Sequence, residues 1–396
     1  MRMTISPPRS ARPLPPVEAD VVVIGGGVMG LSTAYHLAAA GVDVVLLEGR
    51  QLGSGSTGKA AGGLRTLFAD EVDVRLAQHG REALHRFGRD LGKDVELQVS
   101  GHLFLLDDAA DVAAFEAAVK VQNSLGGKSR MIDAEEARRL APLISTEGLL
   151  AAAYSPEDGY CSPEAVVAGY TGAARKLGVE ILTGTPATGI HVENGRIQAV
   201  LSPAGRIATS TVICTAGAWS GRIGEWAGVE LPVRPLRVPT ALSTPVPDLP
   251  AGLPFTVDLG TSFAFRPEGS GLLLSAAEQQ ESWAFDQNPA ESWLDDLARA
   301  MAVRVPGLGE VGVRHSQAGL HEMTPDRNAL IGEAADVSRF LYCTGFSGQG
   351  LAMAPAAGEV MRDLYLGATA TVEVGSRSAE RFGARPSYEL PAINTK

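Results

Sequence analysis

The chain is poor in three features, and each shortage argues against a class of protein. It has only three cysteines in 396 residues, odd in number and far apart, which excludes a disulfide framework and a Cys-x-x-Cys metal site. It has 34 Lys and Arg against 45 Asp and Glu, a net charge of −11 without a long basic run, so neither a nucleic-acid nor an anionic-membrane partner is indicated. Its most apolar stretch, 21–47, is interrupted by three consecutive glycines, His36, Gly41 and Asp43, which argues against a membrane span.

The remaining composition is that of a globular protein with more than one domain. Apolar residues make up 45% of the chain and charged residues 20%, and the length predicts two or three domains. Residues 1–17 are rich in proline and lack the apolar core of a signal peptide, so we expect a disordered leader. This start and the few cysteines predict a cytoplasmic protein. The histidines show no metal-ligand spacing, so no metal site is predicted.

A strand–helix–strand unit opens the predicted fold. Val21–Ile24 is a continuous β-branched run, typical of a parallel strand that is buried on both faces. Apolar residues then recur at helical spacing from Leu31 to Ala38, and residues 42–47 form a second buried strand that ends at Glu48.

The turn inside this unit has the spacing of a dinucleotide-binding motif. Gly25, Gly27 and Gly30 form Gly-x-Gly-x-x-Gly between a buried strand and a helix, and Glu48 ends the next strand. The first glycine permits the tight turn, the second lets the backbone approach a pyrophosphate, and the third packs helix on strand. The Glu48 carboxylate would accept hydrogen bonds from the adenosine ribose. We therefore predict a bound dinucleotide rather than a ligand-free turn.

Two further segments favour FAD over NAD. Residues 53–65 are almost all small, which lets backbone approach a flat aromatic ring closely. Residues 345–350 form a second glycine-rich helix start, far from the first in sequence, and such a helix N-terminus stabilises negative charge. A long ligand held at both ends is the simplest explanation of both features.

The rest of the chain reads as alternating helices and sheet segments. Apolar periodicity predicts a strand within 97–106, a β-meander over 179–214 with a hairpin at Asn194–Gly195, and another hairpin over 263–274. Helices are predicted over 70–92, 109–125, 133–141, 162–177, 290–303 and 350–366. Residues 232–254 contain many prolines, so a crossing segment or an edge strand is expected there.

Several motifs occur in the order found in one flavoprotein superfamily. They are GGGVMG, LLE, GSGSTGKAAGG, CTAGAWS (214–220), MTPDRNALIG (323–332) and GFSGQGLAMAP (345–355). Over about 18–366 the chain resembles the D-amino-acid-oxidase-type FAD superfamily. It is most similar to the branch of glycine oxidase, the sarcosine oxidase β subunit and dimethylglycine dehydrogenase.

The resemblance implies an α/β (α+β overall) fold with two domains. A Rossmann-like FAD-binding domain with a β-meander would comprise 18–90, 145–230 and 318–366, and a mixed-sheet substrate domain would comprise 91–144 and 231–317. Residues 367–396 would form a C-terminal tail. The substrate would bind between that sheet and the flavin.

The resemblance also assigns residues to the cofactor. The implied FAD-binding residues are Gly25, Gly27, Val28, Met29, Gly30, Glu48, Ser56, Thr57, Ala60, Gly62, Gly63, Ala187, Gly217, Trp219, Gly348, Gln349, Gly350 and Leu351. Relatives tether FAD through a cysteine or a histidine, but this chain has Gly319 and Lys59 at those positions, which implies noncovalent FAD.

Departures from the pattern leave the electron acceptor and the substrate open. Ala352 replaces a substrate-binding lysine, and the lysine that activates oxygen is replaced near Leu273 or Leu274. The acceptor is therefore oxygen or another redox carrier. His321 matches the arginine that binds the substrate carboxylate in glycine oxidase, and it is the first substrate-contact candidate beside a purely structural interpretation.

Arg65 is the second candidate for the carboxylate, with a surface or phosphate-pairing arginine as the alternative, and Arg314 is a weaker third. The implied reaction is oxidation of a C–N bond in a secondary or N-methylated amine or amino acid, by hydride transfer to flavin N5 to give an imine. Alternatives are a D-amino acid or glycine as substrate, a 2-hydroxy acid, or a non-catalytic FAD-binding subunit. The oligomeric state is open.

Overall fold

The computed structural model describes residues 17–383. The predicted leader, apart from its last residue, and the last part of the predicted tail lie outside this range. The helices are α1 Val28–Ala39, α2 Glu71–Leu91, α3 Ala109–Ser124, α4 Ala134–Leu140, α5 Pro163–Lys176, α6 Ser220–Ala227, α7 Trp293–Arg304 and α8 Gly350–Leu366. The strands are β1 Val21–Ile24, β2 Val44–Leu47, β3 Gly63–Leu64, β4 His102–Leu106, β5 Arg130–Ile132, β6 Ala151–Ser155, β7 Gly159–Tyr160, β8 Glu180–Leu182, β9 Gly189–Glu193, β10 Arg196–Ser202, β11 Gly205–Ala208, β12 Thr211–Cys214, β13 Arg234–Ser243, β14 Phe255–Asp258, β15 Phe263–Glu268, β16 Gly271–Ser275, β17 Val313–Met323, β18 Leu330–Glu333 and β19 Phe340–Thr344.

One of the two large sheets has six strands, in the order β18-β19-β12-β1-β2-β8. All its neighbours pair in parallel except β18, which is antiparallel to β19. Val21 and Val23 pack on one face against α1, α5 and α8, while Val22 and Ile24 pack on the other face against the β9–β11 sheet and α6. This arrangement confirms the predicted α/β fold and explains why the strand is apolar at every position.

The meander is shorter than predicted. Only β9, β10 and β11 form the three-stranded antiparallel sheet, whereas β8 pairs in parallel with β2. The last predicted strand, over 206–214, splits into β11 and β12, and β12 lies between β1 and β19 in the central sheet. Apolar alternation identifies strands but does not determine which partner each strand has.

The other large sheet is mixed and has eight strands, in the order β17-β13-β16-β15-β14-β4-β6-β5. Its one parallel pair is β14 with β4, and the remaining neighbours are antiparallel. Helix α7 packs on this sheet through the fully buried Trp293 and Leu297. Strand β6 belongs to this sheet, although the sequence analysis assigned 145–230 to the FAD-binding domain. The long strand β17 reaches from the eight-stranded sheet to the cofactor motifs.

The proline-rich segment contains a long interior strand, so the expectation of an edge or a crossing was wrong for 234–243. Strand β13 lies between β17 and β16. Along β13, the backbone groups of every second residue, including 237 and 239, point away from β17. The Arg237 amide donates to Ser282 O, and Pro239 O accepts from the Ser275 hydroxyl. Pro235 and Pro239 both belong to that set. Their missing N–H groups therefore interrupt no bond to β17.

The described residues beyond α8, 367–383, include side chains that pack in the core. Val372 and Val374 are buried in the same core as α1 and α8. No helix within residues 17–383 is long and apolar enough to cross a membrane. The same part of the chain has no cluster of three or more His, Cys, Asp or Glu side chains suited to a metal ion. Its cysteines are buried and unpaired.

Candidate active site

A cavity of about 920 Å³ lies between the two large sheets. One wall is the carboxyl-terminal edge of the six-stranded sheet, where β1, β2 and β12 end. The opposite wall is formed by residues of β13, β14 and β17. A crevice at the carboxyl ends of parallel strands is the usual ligand position in such sheets. With one exception, the residues assigned to FAD from the sequence line this cavity.

Gly30 is that exception, and it has a packing role. A Cβ placed on Gly30 would lie 1.9 Å from the Gly25 carbonyl oxygen and 2.7 Å from the Thr215 hydroxyl. At Gly30, helix α1 therefore lies so close to the ends of β1 and β12 that no side chain fits between them. This contact places the N-terminus of α1, with Val28 and Met29, at the wall of the cavity.

Glu48 directly follows β2, and the backbone engages both of its carboxylate oxygens. The Gly26 amide donates to Oε2 at 2.8 Å, and the Arg50 amide donates to Oε1 at 2.7 Å. The side chain lines the cavity beside the first glycine turn. The carboxylate is thus fixed in place before any ligand binds, as a ribose acceptor requires.

The small-residue segment continues the same wall. The Val28 amide donates to the Thr57 hydroxyl at 3.2 Å, and the Ser56 hydroxyl donates to Leu320 O. These bonds join the segment to α1 and to β17. Ala60, Gly62 and Gly63 follow along the cavity.

The second glycine-rich segment lies at the same cavity. A Cβ on Gly350 would lie 3.4 Å from Met29 Cε, so the N-termini of α8 and α1 are neighbours. The N-cap residue of neither helix bonds its helix through a side chain. Apart from the Val28 amide, which donates to Thr57, the first amides of both helices are therefore available to a ligand. Gly348 has φ +95°, and a Cβ there would lie 2.6 Å from the His321 ring, so glycine alone fits. Gln349 and Leu351 also line the wall.

Ala187, Gly217 and Trp219 border the same cavity from the β9–β11 side and from the turn before α6. Two uncapped helix N-termini, a fixed carboxylate and a long wall of glycines therefore open onto one elongated space. These residues fit a dinucleotide cofactor held at both ends.

Arg65 is a buried cation at the edge of this cavity. Its side chain is 6% exposed, and its guanidinium carbon lies 4.2 Å from the Phe68 ring centre and 5.5 Å from that of Phe104. Burial lowers the pKa of Arg65 to about 10, so it stays protonated near neutral pH. No group within residues 17–383 accepts a hydrogen bond from this guanidinium, and Nε is buried without a partner.

The two carboxylates that act electrostatically on Arg65 form hydrogen bonds with other residues. Asp73 accepts from Arg377 at 3.0 Å. Asp158 accepts from the Thr66 amide at 2.9 Å and from the Thr66 hydroxyl at 2.6 Å. Asp73 and Asp158 attract Arg65 only through space, so Arg65 presents to the cavity a positive charge that no carboxylate among the described residues hydrogen-bonds, which is rare for a buried guanidinium.

His321 also lines the cavity, but not as a cation. It pairs with Leu236 across β13 and β17, and its ring lies under Gly348. Burial, together with the Arg327 charge, lowers the pKa of His321 to about 4. The ring is neutral near neutral pH, so the expected partial cation is not available there. Arg314, the third candidate, is exposed near the start of β17 and does not line the cavity.

The structure adds cavity residues that the sequence did not indicate. His102 of β4 is stacked between Phe104, 4.8 Å away between ring centres, and Phe255, 4.6 Å away. Burial lowers the pKa of His102 to about 3. This stack arises because His102 is in register with Phe255 in the β4–β14 pair. No short-range pattern could have indicated that pairing.

Glu322 was also missed, although it follows His321 directly. Its carboxylate accepts from the Thr344 hydroxyl at 2.9 Å and from the Phe346 amide at 3.3 Å, and burial raises its pKa. It therefore holds the loop that precedes α8. Arg327, after the TPD motif, lines the cavity as well.

The family model for FAD dependent oxidoreductases matches residues 20–364. The chain belongs to this FAD-dependent oxidoreductase family. It is 29% identical over 375 residues to sarcosine dehydrogenase of Mus musculus, covering 90% of this chain and 40% of that protein. It is 28% identical over 387 residues to dimethylglycine dehydrogenase of Mus musculus, covering 92% and 44%. The chain thus spans under half the length of these curated relatives.

A solved structure extends the likeness to the whole described fold. L-proline dehydrogenase from P. horikoshii is 29% identical and has a TM-score of 0.86, over 93% of this chain and 98% of that one. The resemblance stated from the motifs is confirmed at the level of the family and the fold.

Proposed function

We propose that this chain oxidises the C–N bond of an amino acid whose nitrogen carries a second carbon substituent. FAD, when bound, supplies the chemistry by accepting a hydride from the carbon next to the nitrogen. The protein binds the substrate carboxylate, orients the carbon and excludes water. The resulting imine is then hydrolysed.

Arg65 is the observation that carries the proposal. A protonated, buried guanidinium with no partner has the geometry and charge to bind one carboxylate through two parallel hydrogen bonds. The rings of Phe68, Phe104 and Phe255 surround it and His102 with apolar surface. Removing water from this position strengthens the attraction between the ions.

Neither histidine that lines the cavity is a strong base, so the proposed chemistry does not rely on one of them to remove a proton. The pKa values of His102 and His321 are lowered to about 3 and about 4, so neither ring binds a proton well near neutral pH. The substrate amine would therefore have to lose its proton before or upon binding. His321 would act as a neutral hydrogen-bonding group beside Gly348 and the carboxylate site.

The relatives support the choice of substrate class. Sarcosine, dimethylglycine and proline, named in the three relatives, are all amino acids with a substituted nitrogen. A primary D-amino acid or glycine is the second candidate, because an unpartnered Arg65 suits any short carboxylate. A 2-hydroxy acid and a non-catalytic FAD-binding role remain further alternatives.

We also propose that FAD is bound without a covalent tether. A Cβ on Gly319 would lie 3.3 Å from Lys59 Cβ, so the two positions where relatives carry a tether face each other here. Neither position carries Cys or His, and burial raises the pKa of Cys161 to about 12. The acceptor, oxygen or another redox carrier, and the cytoplasmic location stay predictions from the sequence.

Anaerobic bleaching of the flavin tests the function. The holoprotein is mixed with N-methylglycine, N,N-dimethylglycine, proline, glycine, D-alanine and lactate, and the loss of flavin absorption is followed. Faster bleaching by the three N-substituted amino acids is the expected result. Preference for glycine or D-alanine would support the second candidate, and preference for lactate the hydroxy acid. No bleaching by any of them would refute an enzyme of this class.

A further inference from the structure

Charged side chains of alternating sign adjoin the wall of the cavity. Arg65 and Asp73 both border a small side cavity of about 20 Å³ next to the main one. Asp73 lies in the first turn of α2 and is 5% exposed. Its hydrogen-bond partner Arg377 is 3% exposed and belongs to the short helical turn Gly375–Arg377.

Arg377 binds two of the three acidic groups at the start of α2. Its Nη2 donates to Asp73 Oδ1 at 3.0 Å and also to Asp70 Oδ1. Asp70 caps α2 by accepting from the Val72 amide at 2.8 Å. The contact thus ties residues beyond α8 to the helix that supports the wall of the candidate active site.

We propose that Arg377 is a positioning residue that holds Asp73 away from Arg65 and so keeps the Arg65 guanidinium free for the substrate carboxylate. The proposal rests on the function proposed above. Asp73 and Arg65 share the side cavity, yet no ion pair joins them within 4.0 Å among the described residues. Without Arg377, two cations would remain at the side cavity, Arg65 and Arg327. Of these two, Arg65 is the one that lowers the pKa of the buried Asp73.

The charges around Asp73 support this competition. Arg377 and Arg65 are the cations that lower the pKa of Asp73, while burial and Asp70 raise it, and burial prevails. A buried carboxylate is strongly destabilised when its partner is removed. It is then stabilised either by pairing with another cation or by taking up a proton, and pairing with Arg65 would occupy the carboxylate site.

The test compares the holoprotein with the variants Arg377→Gln, Asp73→Asn, the double variant and Arg65→Met. Sodium acetate, a carboxylate without an amine, is titrated into each, and its binding is followed through the change in flavin absorption. Arg377→Gln should weaken acetate binding by about 10- to 150-fold, the range of one lost charged hydrogen bond. The double variant should bind acetate like Asp73→Asn, because the competing carboxylate is absent from both.

Saturation of anaerobic flavin reduction gives a second readout. For N-methylglycine, Arg377→Gln should raise the half-saturating concentration and leave the limiting rate within about 2-fold, since a lost ground-state contact acts on binding. N-methylglycinamide, which has no carboxylate, should show no such rise. A general distortion of the site would instead change the limiting rate for both compounds.

The outcomes separate this proposal from the proposed function. If Arg65→Met binds acetate like the wild type, Arg65 is not the carboxylate site, and the proposed function loses its support. If Arg65→Met loses acetate but Arg377→Gln keeps it, the function stands and this inference is overturned. A double variant as weak as Arg377→Gln would overturn it too, because Arg377 would then act through the fold. If Arg377→Gln does not fold, Asp73→Asn decides alone, since weaker acetate binding than in the wild type contradicts the competition.

Discussion

Replacing Arg65 with methionine is expected to remove the affinity for a substrate carboxylate and to stabilise the fold at the same time. Methionine keeps the unbranched shape beside Phe68 and Phe104 but carries no charge. The combination is diagnostic, because a residue that serves only the fold would lose stability when it is replaced. A residue kept for function often reduces stability.

The magnitudes follow from the burial of the guanidinium. A pKa lowered to about 10 corresponds to about 3 kcal/mol against the charged form. Loss of the cation–π contacts with Phe68 and Phe104 offsets about 1–2 kcal/mol of this. A net gain of about 1–2 kcal/mol in the free energy of unfolding is expected. Loss of a charged, two-pronged hydrogen bond to the substrate weakens binding by about 1.5–3 kcal/mol, or about 10- to 150-fold.

The assay combines thermal unfolding of the FAD-loaded protein with anaerobic flavin reduction over a range of substrate concentrations. Arg65→Lys is the matched control, because it keeps the charge but loses the planar fork, and it should fall between the wild type and Arg65→Met. Unchanged half-saturation in Arg65→Met would refute the reasoning. Loss of FAD from this variant would instead place Arg65 in the cofactor site.

Three further predictions concern the cofactor and the response to acid. Acid or heat should release FAD intact, and yellow colour that stays with the denatured chain would point to a bond through His102 or His321, the histidines that line the cavity. Glu48→Ala should weaken FAD binding by about 10- to 150-fold, measured by titration of the apoprotein, with a smaller loss in Glu48→Gln; equal affinity in all three would remove Glu48 from the site. Since the folded pKa of His102 is about 3, stability should be lost as the pH falls from about 6.5 towards 3, where only the unfolded chain takes up this proton. His102→Phe should reduce that slope by up to about 1.4 kcal/mol per pH unit in denaturant unfolding, and replacement of the exposed His191 should not; equal slopes would contradict the buried, neutral ring.

The sequence could predict that the glycine-rich turns and Glu48 lie close together because their signals are local. Gly25, Gly27 and Gly30 act within one turn, and Glu48 follows at the end of the next strand. The glycine-rich start of α8 is equally compact. Backbone amides at a helix N-terminus are positioned by neighbouring residues, so a short stretch of sequence contains most of the information about them.

The charge states of the other side chains that line the cavity were not predictable to the same degree. The motif match ranked His321 before Arg65, but burial makes His321 neutral and leaves Arg65 charged and unpartnered. The state of each side chain depends on groups distant in sequence, such as Arg377 beyond α8, which binds Asp73. A sequence pattern contains no information on which acid is already engaged.

Strand order shows the same division. The apolar runs identified the strands at 180–182 and 211–214. Their parallel neighbours, β2 and β1, lie more than 130 residues earlier in the sequence, so the runs could not indicate the pairing. The prolines of β13 indicated an edge, whereas a long pairing with β17 leaves their nitrogens on the other side of the strand.

By itself, the amino-acid sequence determined that this protein has a glycine-rich turn, a paired second glycine-rich helix start and apolar strands buried on both faces, because each is a property of adjacent residues. Tertiary structure alone decided which side chains meet in the cavity, which are charged there and which stay unpartnered. The physical reason is that burial and ion pairing are set by the whole surroundings of a group. Those surroundings at Arg65 come from β4, α2 and the residues beyond α8.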